Sequence, residues 1–207
     1  MLLMNILLID DHALFAKSLE IVLADMPEIE SFTTLQNPSE AAAHIRRLHP
    51  DILLLDINLD TVSDVDGIAL ASGLKKEFPG LKLVFLTGYD LPVYRHAAEK
   101  LEACGFLNKN LDPDRLLESL IQINKGVPVF PRANEYIEEL TATETKILQL
   151  LSEGYKRKAI AEILFSSERT ISNHIQHIFD KLDVSSSLEA VTKGIKLGYI
   201  RPFYHKK

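Results

Sequence analysis

The segment DILLLDINL, residues 51–59, constrains the fold of this chain more than any other stretch. Four consecutive aliphatic residues, Ile52 to Leu55, are typical of a strand buried on both faces of a parallel sheet, because such a strand has no polar face. The run is too short for a buried helix of ordinary length. It ends at Asp56, at the edge where open α/β sheets bind ligands. Asp56 is therefore a candidate functional residue, and the alternative is a solvated turn aspartate.

Strand patterns and helix patterns alternate five times in the first 126 residues. Each apolar stretch of strand length is followed by apolar residues at helical spacing. Five such units predict an α/β domain, a parallel sheet with helices on both faces. The predicted strands are 4–9, 29–35, 52–55, 82–87 and 103–107. The predicted helices are 12–24, 38–48, 67–78, 91–102 and 113–125.

Charge divides the chain into an acidic part and a basic part. Residues 1–124 carry 10 Lys and Arg against 19 Asp and Glu, whereas residues 141–207 carry 11 against 7. Opposite charges suggest two domains with different partners, and a basic domain points to a polyanion such as nucleic acid. The single cysteine excludes a disulfide framework, and no apolar run is long enough to span a membrane. The N-terminus has no basic leader, so we expect a cytoplasmic protein without membrane partners.

Charged and hydroxyl side chains lie at the ends of four predicted strands, the first, third, fourth and fifth. They are Asp10 and Asp11, then Asp56, Thr87 and Lys109. Because the carboxyl ends of parallel strands share one edge, these side chains are expected to converge. Carboxylates at close range repel each other unless a cation lies among them, and oxygen ligands without His or Cys favour Mg²⁺. Such a site would hold a phosphoryl group, with Asp56 as a carboxylate nucleophile.

Residues 4–124 resemble the receiver domain of two-component response regulators, which carries the same acidic pair, phosphoacceptor aspartate, hydroxyl and lysine. The resemblance implies a flavodoxin-like sheet of five parallel strands in the order 2-1-3-4-5. It also implies that Asp56 accepts a phosphoryl group from a sensor histidine kinase. Mg²⁺ would then be coordinated by Asp11, Asp56 and the backbone carbonyl of Asn58, with Asp10 holding a water of the metal.

The same resemblance assigns roles to three more residues. Lys109 pairs with Asp56 and then with the phosphate. Thr87 moves toward the phosphate and Phe106 turns inward behind it, so both act as switch residues. Phe106 is the aromatic residue that the family has three positions before the lysine, although an ordinary core also requires a buried aromatic there. Its role as a switch is therefore implied by the resemblance alone.

The loop after the phosphoacceptor departs from the family pattern. Response regulators usually have Met-Pro there, whereas this chain has Asp60 in place of the proline and a loop about three residues longer, which a surface loop absorbs at little cost. Asp64 and Asp66 add further negative charge. The acidic loop could strengthen metal attraction or slow the approach of a phosphodonor. The alternative is a solvated surface loop without a role in the site.

Residues 125–140 are predicted to form a linker between this domain and a helical C-terminal segment. The stretch from Val127 to Pro131 has two prolines and no helical period, which indicates an extended connector. Residues 134–140 are polar and acidic and could form a linker helix. We therefore expect a receiver domain over residues 1–124 and a separate all-α domain over residues 141–207.

A succession of helices is predicted after residue 141, and the third of them has two distinct faces. A capping box from Thr141 to Glu144 begins the first helix, and Ser167 caps the third, which runs to about Leu182. An apolar stripe on the third helix consists of Ile171, Ile175, Ile178 and Leu182. Two short helices with a tight turn and a polar outer face fit a helix-turn-helix that reads DNA, and the alternative is a solvated helix face. The predicted DNA-binding residues are Lys156, Arg157, Lys158, Arg169, Thr170, Ser172, Asn173, Gln176, His177 and Lys181.

Residues 140–200 resemble the LuxR-type helix-turn-helix of the NarL/FixJ response regulators. The matching residues are Leu140, Thr141, Glu144, Gly154, Ile160, Ala161, Ser167, Thr170, His174, Lys181, Leu182 and Ala190. The family usually has arginine at the position of Thr143 and a basic residue at that of Ser172, whose loss should weaken DNA affinity. His174 is interpreted as structural or as a phosphate contact, because no second metal ligand lies near it. In relatives the last helix, about 186–197, is the dimer surface.

The sequence predicts a transcription factor rather than an enzyme. Phosphorylation of Asp56 is expected to shift the receiver domain between two states and so to promote homodimerisation and binding to a double-stranded DNA operator. One alternative is a phosphate-independent regulator that acts through protein contacts. The other is a Mg²⁺-dependent phosphotransfer or phosphatase enzyme, against which the lack of a separate general base argues.

Overall fold

The computed structural model describes residues 3–59, 67–88, 91–131 and 138–200. The chain divides near residue 132 into two compact units, an α/β unit followed by a helical unit. Within the described ranges, no helix is both long enough and apolar enough to cross a membrane.

The first unit is built on one parallel sheet of five strands. They are β1 (Met4–Ile9), β2 (Ile29–Leu35), β3 (Ile52–Leu55), β4 (Lys82–Thr87) and β5 (Gly105–Asn108). The order β2-β1-β3-β4-β5 confirms the predicted fold class. All four residues of β3 are fully buried at the centre of the sheet, where Ile52 pairs with Ile6 of β1 and Leu54 pairs with Val84 of β4. This placement explains why its sequence is an uninterrupted aliphatic run.

Helices cover both faces of the sheet and form two cores with it. They are α1 (Ala13–Ala24), α2 (Ala41–Leu48), α3 (Gly67–Glu77), α4 (Pro92–Lys100) and α5 (Pro113–Asn124). Successive side chains of a strand point to opposite faces, so β3 contributes to both cores. Leu53 and Leu55 pack with residues of α2 and α3, whereas Ile52 and Leu54 pack with residues of α1 and α5. Full burial of each such side chain contributes about 2 kcal/mol, which fixes the strand ends in place.

Several predicted element boundaries differ from the observed ones by one to three residues, and two of the differences have a clear local cause. The helix predicted from residue 38 starts with a 3-10 turn, Pro38–Glu40, and becomes α-helical only at residue 41. The fifth strand begins at Gly105 rather than at Ala103. The chain leaves α4 through Glu102 in the left-handed conformation (φ 50°), and the N–H of Ala103 still donates to the carbonyl of Ala98 at 3.0 Å.

The stretch predicted as an extended connector after α5 lies against the edge of the sheet. The N–H of Val129 donates to the carbonyl of Cys104 at 3.0 Å, and the N–H of Phe106 donates to the carbonyl of Val129 at 2.9 Å. Gly105, which lies between Cys104 and Phe106, pairs with Val129 in a parallel bridge. A Cβ on Gly105 would lie 3.2 Å from the Val129 carbonyl oxygen and 2.8 Å from Ile123, so the close approach requires glycine.

Over residues 138–200, the second unit has four helices around a small aliphatic core. They are α6 (Ala142–Ser152), α7 (Arg157–Ile163), α8 (Glu168–Leu182) and α9 (Ser187–Leu197). The predicted capping box at Thr141 and the predicted Ser167 cap are both formed. The stripe Ile171, Ile175, Ile178 and Leu182 is buried against α6, α7 and α9. These findings confirm the predicted helix-turn-helix unit, whereas most of the linker helix predicted over 134–140 lies outside the described residues.

Candidate functional site

Three strand ends bring two carboxylates and one ammonium group together at the carboxyl edge of the sheet. Asp10 follows β1, Asp56 follows β3, and both side chains are almost fully buried. Lys109, which follows β5, places its Nζ 2.7 Å from Asp10 Oδ2 and 2.8 Å from Asp56 Oδ2. The same Nζ lies 4.8 Å from the ring centre of Phe15, a cation–π contact that holds the lysine from the α1 side.

The Asp56 carboxyl is poorly compensated for a buried charge. Burial raises the pKa of Asp56, and the charge of Asp10 raises it further, although the hydrogen bond and charge of Lys109 and the backbone N–H of Asn58 oppose this. Its Oδ2 accepts the hydrogen bond from Lys109. Its Oδ1 is buried without a hydrogen-bond partner in the described part of the chain. A carboxylate held in this way, with one free oxygen, is a candidate nucleophile and a candidate cation ligand.

Asp11 and His12 extend the cluster toward solvent. The His12 backbone N–H donates to Asp10 Oδ1 at 2.9 Å, and the His12 ring Nδ1 lies 2.9 Å from Asp11 Oδ1. Asp10, Asp11, His12 and Asp56 each offer one ligand atom within 4.8 Å of the others. The sequence reasoning did not identify His12, although its position directly after the acidic pair was the available signal.

The two switch residues, Thr87 and Phe106, and Asn58, whose backbone carbonyl is assigned to the metal, belong to the same edge of the sheet. Thr87 ends β4 with its side chain fully buried, and its carbonyl accepts the N–H of Lys109 at 2.9 Å. Phe106 is buried in the core of the first unit. Asn58 is half-buried two residues after Asp56, and Gly67 packs against that turn, where a Cβ would lie 2.3 Å from the Asp56 carbonyl oxygen. The acidic residues Asp60, Asp64 and Asp66 lie outside the described residues.

The donor set of this edge fits a hard divalent cation. Lys109 contacts two of the three carboxylates of the cluster, and Asp56 Oδ1 is a buried acceptor without a hydrogen-bond partner among the described residues. Oxygen donors of this kind are those that Mg²⁺ prefers. The acidic pocket therefore has the composition of a Mg²⁺ site.

The second unit exposes a basic and polar surface on its helix-turn-helix. Lys156, Arg157 and Lys158 at the start of α7 are exposed, as are Arg169, Thr170, Asn173, Gln176 and His177 on α8. Ser172 is half-buried and donates its hydroxyl proton to the carbonyl of Glu168 at 2.9 Å. The buried stripe occupies the opposite side of α8, so the exposed α8 residues of this set share the solvent face of that helix.

Lys181 differs from the other predicted DNA contacts. Its Nζ lies 2.8 Å from Glu144 Oε2 and 3.0 Å from the carbonyl oxygen of Glu139, and its side chain is only 21% exposed. Glu144 is itself buried, and its carboxylate also accepts the N–H of Thr141 in the capping box. Lys181 therefore fastens α8 to the start of α6.

The statement that no second ligand lies near His174 is wrong. The fold brings Glu144 from α6 and His177 from the next turn of α8 close enough that one ligand atom of each lies within 4.8 Å of the others. The two imidazole rings meet edge to face, with centres 6.5 Å apart. Glu144 could not be linked to His174 from the sequence because the two residues are joined only by the packing of α6 on α8.

Comparisons with known proteins cover both units. Residues 6–121 match the response regulator receiver domain, and residues 138–193 match the bacterial regulatory proteins of the luxR family. The transcriptional regulatory protein DegU of Brevibacillus brevis is 29% identical over 95% of this chain and 95% of its own length.

Solved structures show the same architecture. RcsB of Salmonella typhimurium is 25% identical with a TM-score of 0.61, over 93% of this chain and 98% of that chain. A structure of two RcsB dimers bound to two parallel DNAs has a TM-score of 0.68 at 25% identity, over 92% of this chain and 97% of that chain. The chain therefore belongs to the response regulators of the NarL/FixJ family, and it is a transcription factor with a receiver domain and a LuxR-type DNA-binding domain.

Proposed function

We propose that this response regulator is controlled by phosphorylation of Asp56. The observation that carries the proposal is the Asp56 carboxylate, which is buried at a strand end, held by Lys109 through Oδ2 and left with an unsatisfied Oδ1. A sensor histidine kinase supplies the phosphoryl group, as the receiver family implies. The phosphoacceptor unit is assigned to residues 1–124, the linker to 125–140 and the DNA-binding unit to 141–207.

In the proposed reaction Asp56 is the nucleophile. One carboxylate oxygen forms a bond to phosphorus while the bond between phosphorus and the kinase imidazole nitrogen breaks, so the product is an acyl phosphate. Lys109, fixed 2.8 Å from the same carboxylate, offers its positive charge to the developing phosphoryl oxygens. Thr87 supplies a hydroxyl at the end of the adjacent strand, where it is the proposed phosphate-sensing residue.

Mg²⁺ is the proposed cofactor of this site. Asp11, Asp56 and the Asn58 carbonyl would hold it, with Asp10 bound through water, and it would supply positive charge that offsets the phosphoryl oxygens. The three carboxylates Asp10, Asp11 and Asp56, which each offer a ligand atom within 4.8 Å of the others, support this assignment. Because the chain consists of a receiver domain and a LuxR-type DNA-binding domain, we assign it no separate enzymatic activity.

The proposed signal leaves the site through β5. Phe106 is buried beside the site, and its backbone N–H donates to the carbonyl of Val129 in the stretch that continues toward the second unit. A change in the position of Phe106 would therefore act directly on a hydrogen bond of the linker.

The proposed output is binding of a homodimer to a double-stranded DNA operator in the cytoplasm. Ser172, Asn173 and Gln176 read bases, because amide side chains match base edges in the major groove. Phosphate contacts come from the basic and polar residues Lys156, Arg157, Lys158, Arg169, Thr170 and His177. Lys181 is left out of this set because it is committed to Glu144. Leu188, Val191 and Ile195 on α9 are the proposed apolar dimer contacts, of which Leu188 is exposed and the other two also pack partly against the core of the second unit. The DNA-bound dimers of the similar protein RcsB support a dimer on DNA.

A labelling experiment tests the phosphoacceptor. The full chain is incubated with acetyl phosphate and Mg²⁺, and intact mass reports the fraction that gains one phosphoryl group. The Asp56→Asn variant should gain none, whereas Asp51→Asn should label as wild type, because Asp51 lies at the opposite end of β3 and its carboxylate accepts the N–H of Asn5. Undiminished labelling of Asp56→Asn would remove Asp56 from the mechanism and leave a phosphate-independent regulator as the alternative.

A further inference from the structure

Two histidines of α8 and one buried glutamate of α6 come together in the second unit. His174 and His177 are three residues apart on α8, a spacing that places both side chains on the same side of a helix. Their rings meet edge to face with centres 6.5 Å apart. One ligand atom each of Glu144, His174 and His177 lies within 4.8 Å of the others. The cluster therefore contains three metal-ligating side chains that come from two packed helices.

We propose that Glu144, His174 and His177 form a binding site for Zn²⁺ or a similar transition cation, which joins α6 to α8. The site is separate from the acidic pocket of the first unit, and the proposal does not depend on phosphorylation of Asp56. The ligand set is one carboxylate and two imidazoles, which leaves one position of a four-coordinate ion for water.

The burial of the three side chains suits a site that is fixed on one side and adjustable on the other. Glu144 is buried, His174 is half-buried and His177 is exposed. Ligand atoms around a tetrahedral ion with bonds of about 2.1 Å lie about 3.4 Å apart. Because the observed ligand atoms lie within 4.8 Å of one another, they need to approach by about 1.4 Å at most. The exposed ring of His177 can supply that movement by rotating about its side-chain bonds.

The Glu144 carboxylate has an oxygen that its structural contacts do not use. The hydrogen bonds from the Thr141 N–H and from Lys181 Nζ are both made to Oε2. A cation can therefore bind Oε1 without breaking the capping box or the ion pair. The ammonium group of Lys181 repels a nearby cation, so the two imidazoles must supply most of the binding free energy.

The two imidazoles determine which ions the site prefers. Imidazole nitrogen suits Zn²⁺, Cu²⁺ and Ni²⁺, whereas Mg²⁺ prefers oxygen ligands and keeps its waters. We therefore expect Zn²⁺ to bind here even when Mg²⁺ is in excess. The competing account is that Glu144 and His174 only pack together where α6 meets α8, and that His177 binds no ion.

Nitrogen NMR of the imidazole rings tests the ligands directly. The full chain is titrated with Zn²⁺ in a buffer with excess Mg²⁺, which supplies the acidic pocket of the first unit with its own cation. The ring nitrogens of His174 and His177 should shift together, with one ion bound per cluster. His177→Gln should weaken Zn²⁺ binding at the cluster by about tenfold or more, and it should keep its thermal transition because His177 is exposed. His44→Gln, on α2 and outside the cluster, is the matched control and should bind Zn²⁺ as wild type does.

Unfolding of each unit measures whether the ion joins α6 to α8. A cation that binds only the folded state stabilises the unit that holds it. Zn²⁺ should therefore raise the urea midpoint of the second unit in wild type and in His44→Gln, but not in His177→Gln. The proposal would be overturned by Zn²⁺ binding that shifts neither ring, by equal binding of wild type and His177→Gln, or by no binding of Zn²⁺ to the second unit. Labelling of Asp56 by acetyl phosphate tests the phosphoacceptor separately and would be unaffected by any of these results.

Discussion

Two buried carboxylates, one in each unit, are paired with a lysine at the same distance but have opposite properties. Lys109 Nζ lies 2.8 Å from Asp56, and Lys181 Nζ lies 2.8 Å from Glu144. Burial raises the pKa of Asp56, and Lys109 does not overcome it. Burial also acts to raise the pKa of Glu144, but the hydrogen bonds from Lys181 and Thr141 outweigh it and the pKa is lowered.

The surroundings of each pair account for the difference. Glu144 Oε2 accepts hydrogen bonds from both Lys181 Nζ and the Thr141 N–H. Asp56 shares Lys109 with Asp10 and has one oxygen without a partner. A satisfied ion pair stabilises a fold, whereas an unsatisfied one retains affinity for a cation or an electrophile. The same pair of residue types therefore serves structure in one unit and chemistry in the other.

The largest expected effect is on stability when the satisfied pair is broken. Glu144→Ala removes the capping box and leaves Lys181 without its partner, so the second unit should lose about 3 kcal/mol of unfolding free energy. Urea unfolding followed by NMR signals of each unit measures the loss. Asp56→Asn should cost the first unit nothing or stabilise it, because it removes a buried charge. The control is Glu162→Ala on the exposed side of α7, and a loss as large there would contradict the assigned role of Glu144.

The lysines provide the second contrast. Lys109→Ala leaves the carboxylates without their ammonium group, so the first unit should lose about 2 kcal/mol without Mg²⁺ and recover most of it with Mg²⁺, because a bound cation replaces the charge. Lys181→Ala should destabilise the second unit by a similar amount in both conditions. Thermal unfolding with and without Mg²⁺ measures both variants. An equal response of the two variants to Mg²⁺ would remove the distinction between the sites.

The pH dependence of the two units should run in opposite directions. The pKa of Glu144 is lowered from its usual 4.5, so its stabilising contribution is present above pH 4.5 and is lost as the pH falls through the folded value. The pKa of Asp56 is raised from 3.8, so its contribution is present below pH 3.8 and is lost as the pH rises through the folded value in the absence of Mg²⁺.

Urea midpoints of each unit between pH 3 and pH 7 would measure these slopes, and a tenfold difference in proton affinity between the folded and unfolded states corresponds to about 1.4 kcal/mol of unfolding free energy. Glu144→Gln and Asp56→Asn should each flatten the profile of their own unit and leave the other unchanged. A slope of the same sign in both units would contradict the comparison.

Sequence patterns were sufficient for what depends on local chemistry. The aliphatic run of β3, the Thr141 capping box and the Ser167 cap each follow from neighbouring residues, and the structure has all of them. The convergence of Asp10, Asp56 and Lys109 followed from the rule that parallel strands share a carboxyl edge.

Contacts that depend on packing between distant segments were beyond the sequence. Lys181 carries a positive charge suited to DNA. Only the packing of α8 on α6 shows that its ammonium group forms an ion pair with Glu144. The pairing of Val129 with Gly105 needs the return of the chain after α5, and a proline-flanked stretch gives no sign of its partner strand. His12 was missed because a ring beside two aspartates is recognised as part of the cluster only when its direction is known.

The smallest expected effect is on DNA binding at the exposed face of α8. Ser172→Lys adds a cation beside the proposed base-reading residues, so the slope of log affinity against log salt should steepen by about one unit and binding should tighten. The control Glu153→Gln makes the same change in net charge at the end of α6. Binding isotherms of the full chain on its operator at several salt concentrations measure both. No change for Ser172→Lys would place this face away from the DNA.

Chemical mapping of the phosphorylated residue tests the account most directly. Borohydride reduces an acyl phosphate on aspartate to homoserine, and peptide mass spectrometry then locates the converted residue. After treatment with acetyl phosphate and Mg²⁺, homoserine should appear at Asp56 alone, because its carboxylate accepts a hydrogen bond from Lys109 through Oδ2 and has a second buried oxygen, Oδ1, that accepts none from the described residues. Conversion at Asp10 or Asp11, or no conversion at any aspartate of a labelled chain, would contradict the account. Asp56 would then not be the reactive carboxylate that distinguishes the Asp56–Lys109 pair from the Glu144–Lys181 pair.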